Sequence, residues 1–237
     1  MNLNFFSTNV LKKPKTVLGF IISFLAILWV FQDLNFSKLK SILQNVNIVY
    51  LVLASILLWI CNWFRGLRWS YLFKKEDLVS VQSLYHAELI GYFGNNILPL
   101  RLGELLRCHV VSKQYSLSTS YVFGTVVLER LIDTLTLGVF AFILLVSYPL
   151  DQVMKSYVLW GSFSSFLIVS LSFLVLHFIP SFKGNGNKVF SIFLNILSGL
   201  KSIRKEKILY VILSSFLIWF IYLFDIYLIQ KAFHFTL

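Results

Sequence analysis

Cysteine is nearly absent from this sequence. Cys61 and Cys108 are the only two in 237 residues, too few for a disulfide framework, and each sits in an apolar or helical context where a free thiol serves packing. The four histidines, His86, His109, His177 and His234, share no metal-ligand spacing with one another or with the cysteines. No metal site and no cofactor are therefore expected. No nucleotide-binding loop is seen, and no soluble catalytic domain is expected at either end. Charge is scarce as well: 13% of residues are charged against 58% hydrophobic, far from the balance of a soluble domain, and this excludes soluble readings. The first apolar run lacks a small-residue cleavage site, so it is expected to be a retained anchor rather than a signal peptide.

What fills the chain instead is a series of long apolar runs. A bilayer core of about 30 Å takes about 20 residues of helix to cross. By length and hydropathy the candidate spans are Val17–Phe31, Ile48–Trp63, Ser118–Tyr148, Tyr157–Ile179 and Ile208–Ile229. Between them lie amphipathic pieces at Asn35–Val46 and Lys188–Lys205 and a moderately polar stretch, Val79–Lys113. Pro14 precedes the first run, Pro149 follows the long one, and Pro180 with Gly184 and Gly186 marks a loop. The expected fold class is all-α: a polytopic helical membrane protein with about five spanning helices plus a re-entrant helical pair at 78–113, in a single integral membrane domain, 1–237.

The re-entrant assignment follows from charge. If Val79–Leu98 enters and returns to the same side, thirteen lysines and arginines outside the disputed elements gather on one side, and Lys38, Lys40, Lys155 and Lys231 alone lie on the other. A full crossing would leave nine against eight. The positive-inside rule selects the first arrangement, with a cytoplasmic N-terminus in the cell (inner) membrane. The formal net charge of +11 has the same explanation, cytoplasmic loops beside anionic headgroups, and does not call for nucleic acid. Gly94, Asn95, Asn96 and Pro99 supply the break, with Leu100–Lys113 as the returning arm. The two amides can satisfy backbone groups freed at the turn or contact a ligand.

Charges are concentrated in this region. Arg101, Glu104 and Arg107 recur every third residue and share one helix face. In VVLERLID, Glu129 and Asp133 are four apart and Arg130 and Asp133 three apart, again neighbours on a helix. Charges at bilayer depth are costly and face one another or a hydrated cavity. One outcome is mutual neutralisation, Arg101, Arg107 and Arg130 against Glu104, Glu129 and Asp133, pinning the pair to the long helix. The other is a hydrated cavity opening on the cytoplasmic leaflet, where arginines meet a lipid phosphate. Glu88 and His86 stand on the descending arm near such a cavity. Asp225 is an intramembrane acid with no visible partner, and Arg65, Arg68 and Trp69 look like an interfacial anchor.

The run GNNILPLRLGELLR followed by LERLID resembles the transmembrane family named after lysylphosphatidylglycerol synthase, which includes the flippase half of the multiple peptide resistance factor. Asn96, Pro99, Arg101, Gly103, Glu104, Arg107, Glu129, Arg130 and Asp133 stand at its signature positions. Leu100 departs from the small residue usual there. The family also continues through further helices, so the chain is expected to be a C-terminally shortened copy or a fragment. The resemblance implies movement of a phospholipid or polyprenyl-linked lipid between leaflets. An intramembrane transferase and a non-transporting scaffold are the alternatives. The implied partners are membrane lipids with anionic headgroups and a lipid-modifying enzyme or glycosyltransferase. The headgroup site would comprise Asn95, Asn96, Arg101, Glu104, Arg107, Glu129, Arg130 and Asp133, with Gly94, Pro99 and Gly103 shaping the turn.

Overall fold

The computed structural model describes residues 14–32, 34–74, 79–178 and 188–235. Each apolar run forms a helix: α1 (Pro14–Phe31), α2 (Phe36–Gln44), α3 (Ile48–Tyr71), α4 (Val81–Ile97), α5 (Gly103–Gln114), α6 (Thr119–Ser147), α7 (Gln152–Phe178), α8 (Lys188–Leu200) and α9 (Ile208–Ala232). Among the described residues, four stretches are long and apolar enough to cross a membrane: Ile48–Tyr71, Thr119–Ser147, Gln152–Ser172 and Lys205–Ala232. The remaining expected span lies on α1, an 18-residue helix. The loop at Pro180, Gly184 and Gly186 and the N-terminal residues 1–13 fall outside the described residues.

The chain forms two compact units, Met1–Ile48 with Gln230–Leu237, and Val49–Ile229. In the first, the Asn35 side chain caps α2 by accepting from Lys38 N at 3.0 Å, and Asn47 N donates to Ala232 O at 2.9 Å. The second holds the charged constellation. Its outer surface is apolar, with Trp59, Val146, Trp160 and Leu209 exposed, while Arg68, Arg107, Glu129 and Asp133 are buried. Such an inside-out distribution suits a helix bundle in hydrocarbon, where outward Leu and Phe lose nothing and charges must pair internally.

The helix α3 runs eight residues beyond the expected Ile48–Trp63, continuing through Arg65 and Arg68. It can do so because both arginines are paired in the interior and do not end the apolar segment. The long helix α6 matches its expected bounds within a residue at each end.

A helical hairpin, α4 and α5, follows α3. Proline pushes the residue before it into extended backbone: Leu98 stands at φ −92°, ψ 139°, ending α4. A single 3₁₀ turn, Pro99–Arg101, reverses the chain. A Cβ built on Gly94 would lie 2.8 Å from Gly103 Cα, so the two arms touch backbone to backbone where glycine alone permits it. At the open end, Ser80 N donates to Tyr115 Oη at 3.0 Å and Gln114 Nε2 to Ser83 Oγ at 2.9 Å. The chain thus returns to the level from which it left. Arms of 17 and 12 residues measure about 25 and 18 Å, each shorter than a hydrocarbon core of about 30 Å.

The turn is strained. Leu100 (φ 57°) and Arg101 (φ 56°) are both left-handed, a conformation that costs a side-chain-bearing residue about 1–2 kcal/mol. Leu100 is also 92% exposed, so no packing repays the strain. Leu100→Gly is expected to stabilise the detergent-solubilised protein by about 1 kcal/mol. A thermal melt of the purified variant checks this, and an unchanged or lower midpoint would refute it.

Candidate functional site

Six charged side chains meet inside the second unit, three of each sign. Arg65 and Arg68 come from α3, Glu88 from α4, Arg107 from α5, and Glu129 and Asp133 from α6. Glu129 is the hub, with no exposed surface. Its Oε1 accepts from Arg65 Nη2 and Arg68 Nη2, both at 3.0 Å, and its Oε2 accepts from Arg107 Nη2 at 3.1 Å. Glu88 takes a short contact from Arg107 Nη1 and a 3.4 Å contact from Arg65 Nη2. Arg68 Nη1 donates to Asp133 Oδ1 at 2.6 Å and to Ser215 Oγ on α9 at 3.1 Å, and Trp219 Nε1 donates to the same Asp133 oxygen at 3.2 Å. The Arg107 guanidinium lies 4.7 Å from the Trp69 ring centroid. Every carboxylate here has an arginine, which is the condition under which ions persist out of water.

This cluster corrects two expectations. Arg65, Arg68 and Trp69 are no interfacial anchor: all three are buried, and Trp69 Nε1 donates to Thr125 Oγ1 of α6 at 2.9 Å. They turn inward because α6 presents acids and a hydroxyl at their level, giving a guanidinium more than headgroup water would. The neutralised set is also larger than expected: Arg107, Arg130, Glu104, Glu129 and Asp133 pair as expected, Arg65, Arg68 and Glu88 join them, and Arg101 alone of the expected members stays outside. The signal available was the i, i+3 placement of Arg65 and Arg68 on a single face of an otherwise apolar helix.

Beside the cluster lies a cavity of about 550 Å³, lined from α3 by Arg65, from the hairpin by Glu88, Tyr92, Asn95, Arg101, Glu104 and Arg107, from α6 by Arg130, and from α9 by Trp219, Tyr222, Asp225 and Ile226. Its polar groups are graded. Arg65, Glu88 and Arg107 are buried; Glu104 is 29% and Arg130 41% exposed by side chain; Arg101, at the hairpin's tip, is exposed. Arg130 Nε approaches Glu104 Oε1 at 3.3 Å, an ion-pair distance without hydrogen-bond alignment. Arg130 also reaches Glu129 at 3.5 Å and Asp133 at 3.3 Å, so it joins cluster to cavity. Arg101 has no ion pair or hydrogen bond among the described residues. Toward the hairpin's base an apolar core of Trp69, Leu72, Phe73, Leu84, Val111 and Val122 closes the structure. The recess expected to open at that base is thus plugged there, and its exposed groups lie near the tip.

The remaining candidates divide between cavity and framework. Asn95 lines the cavity with its Oδ1 buried and without a donor. Asn96 is exposed and not among the lining residues, and its Nδ2 donates to Tyr92 O of its own helix at 3.0 Å. Gly94, Pro99 and Gly103 form the turn and the close crossing. Glu129 and Asp133 are consumed by the cluster. Exposed His86 packs beside Tyr85 and does not line the cavity. Cys61 and Cys108 are buried thiols, and no group of three metal-ligating residues occurs among the described residues.

The family described as lysylphosphatidylglycerol synthase TM region matches residues 16–237. A UPF0104 membrane protein of Methanocaldococcus jannaschii is 32% identical over 127 residues, covering 52% of this chain and 38% of its own length. One from Methanothermobacter thermautotrophicus is 23% identical over 224 residues, 83% of this chain and 66% of the relative. A second M. jannaschii UPF0104 protein is 28% identical over 141 residues, 58% and 60% of the two chains. The chain therefore spans between about two fifths and two thirds of the relatives it matches. No solved structure matches.

Proposed function

The chain belongs to the lysylphosphatidylglycerol synthase TM region family, and we propose that it binds a phospholipid or polyprenyl-linked lipid by its phosphate and moves it between the leaflets of the cell membrane. The observation that carries this reading is Arg101, a guanidinium without a partner among the described residues, on the wall of a cavity of about 550 Å³ in a bundle whose outer surface is apolar. A guanidinium meets a phosphate with two parallel hydrogen bonds, and Arg130, partly exposed on the same wall, adds a second donor. The volume falls in the range of small-molecule sites and suits a headgroup.

The hairpin is read as re-entrant. Its arms are too short to cross, and its tip exposes Phe93, Ile97, Leu98 and Leu100, apolar groups at home in hydrocarbon. The hairpin's base then faces the cytoplasm, and the cavity, closed toward the base, is one state of an alternating-access cycle. A scaffold would need the buried cluster alone. It has no use for an unpaired arginine over a polar recess, and this favours transport.

Arg101→Gln tests the proposal. Charge-assisted hydrogen bonds contribute about 1.5–3 kcal/mol, so lipid movement should slow about 10- to 100-fold, while the melting midpoint stays near wild type because Arg101 supports no other side chain. The assay is appearance of fluorescent phosphatidylglycerol in the outer leaflet of vesicles reconstituted with purified protein. Equal rates for the two proteins would end the proposal.

A further inference from the structure

Within the cavity the charged and titratable groups pair off, with two exceptions. Arg65 and Arg107 face Glu88, Arg130 faces Glu104, and Tyr92 Oη and Tyr222 Oη lie 3.4 Å apart; behind the wall the buried Cys61 thiol donates to Ile218 O at 3.8 Å. Left over are a cation, Arg101, and an acid, Asp225. Asp225 is 5% exposed, its Oδ1 has no hydrogen-bond partner, and it makes no ion pair among the described residues. Yet it lines the same cavity.

The two also share a level. Arg101 follows the 17-residue α4, about 25 Å from the hairpin's base, and Asp225 lies 17 residues into α9 from Ile208, about 26 Å from that helix's first turn. The first turn of α9 is itself at the base, where Lys207 Nζ sits 5.0 Å from the ring of Tyr71, at the end of α3. An acid buried this far along a spanning helix without a counter-ion is costly when ionised. Asn95 Oδ1 is the other buried acceptor of the same cavity without a donor.

We infer that Asp225 is a proton-binding site coupled to the headgroup site, so that the protein takes up one proton with each phosphate headgroup it binds and its transport runs on a proton gradient. This rests on the proposed lipid transport and adds its energy source. Arg101 and Asp225 line one cavity, and in the inferred coupling the unpaired Arg101 charge offsets part of the burial cost of an ionised carboxylate while the headgroup is absent. A phosphate on Arg101 cancels that charge, and Asp225 then binds one proton drawn from the bulk solution onto a carboxylate oxygen. When the headgroup leaves, the restored arginine charge expels the proton. Linkage is reciprocal, so a protonated Asp225 also tightens phosphate binding.

The test uses the full chain in two settings. In detergent with a pH indicator, titration with dihexanoylphosphatidylglycerol should draw about one proton per lipid bound into the wild type and none into Asp225→Asn. Wild-type affinity should fall roughly tenfold as pH rises through the carboxyl's titration, as expected for opposite charges interacting across a cavity, while the variant stays flat. Asp225→Ser repeats the measurement with a smaller side chain should the amide misfold. Inorganic phosphate is the control, and uptake with phosphate alone would make this a free-anion site and overturn the inference. In vesicles, an imposed pH gradient should drive labelled lipid to one leaflet in the wild type only. Lipid movement without gradient dependence, or equal proton uptake in the variants, sinks the inference and leaves transport standing. Absence of both binding and movement removes both.

Discussion

Glu129→Ala is expected to abolish most folded protein, at a cost of about 3–5 kcal/mol, the range for removing one partner of a buried ion pair. The figure is large because the loss is not confined to one contact. Arg65, Arg68 and Arg107 all donate to this carboxylate, and they come from α3 and α5 while Glu129 belongs to α6. Without it three buried guanidinium groups share Glu88 and Asp133, and one positive charge of the cluster stays unbalanced in the buried interior. Typical domain stabilities are about 5–15 kcal/mol, so a loss of this size removes a large part of the margin. Size-exclusion melting of the solubilised variant should show a strongly lowered midpoint or aggregated material. A wild-type melting curve would show that the cluster does not hold these helices together. Arg101→Gln is the contrast, expected to impair transport and leave the fold intact.

Arg68→Lys is expected to be nearly as damaging, at about 2–3 kcal/mol, although it keeps the charge. The Arg68 fork serves three partners on two helices: Nη1 reaches Asp133 and Ser215, and Nη2 reaches Glu129. A lysine ammonium is a single point and cannot stand in both positions. One acid is then left short of a donor, and each charge-assisted hydrogen bond lost is about 1.5–3 kcal/mol. The effect stays below that of Glu129→Ala because Arg65 and Arg107 still hold the hub. The same melting assay decides. A lysine variant as stable as wild type would mean that charge alone, without geometry, satisfies the cluster.

The hairpin shows what was legible in advance. A proline after GNN, within a moderately polar stretch, marks a break through local sterics, and the balance of positive charge selects the return to the same side: Pro99 forces Leu98 into extended backbone and ends α4. The close approach of Gly94 and Gly103 has the same local origin. Leu100 was legible as a misfit in the turn, and its left-handed φ gives the physical content of that departure. Arg65 and Arg68 were legible as a pair on one helix face, but not in their inward direction. A short-range pattern places them at the end of an apolar helix, where arginines usually reach for water. Asp225 was visible as an isolated intramembrane acid, but not the wall it belongs to, since Asn95 and Arg101 reach that wall from more than a hundred residues away.

The amino-acid sequence by itself determined that this is an all-helical, multi-pass membrane protein with a proline-turned hairpin and a charged region in its interior, because hydropathy, helical period and backbone sterics act over a few residues and need no knowledge of neighbours. Only the tertiary structure decided which charges neutralise one another and which remain to meet a ligand. Six acids and arginines in a bundle can be paired in many ways of similar count. The choice depends on the axial register of α3, α5, α6 and α9, where a shift of one turn moves a side chain by about 5.4 Å and exchanges a buried partner for an open cavity wall.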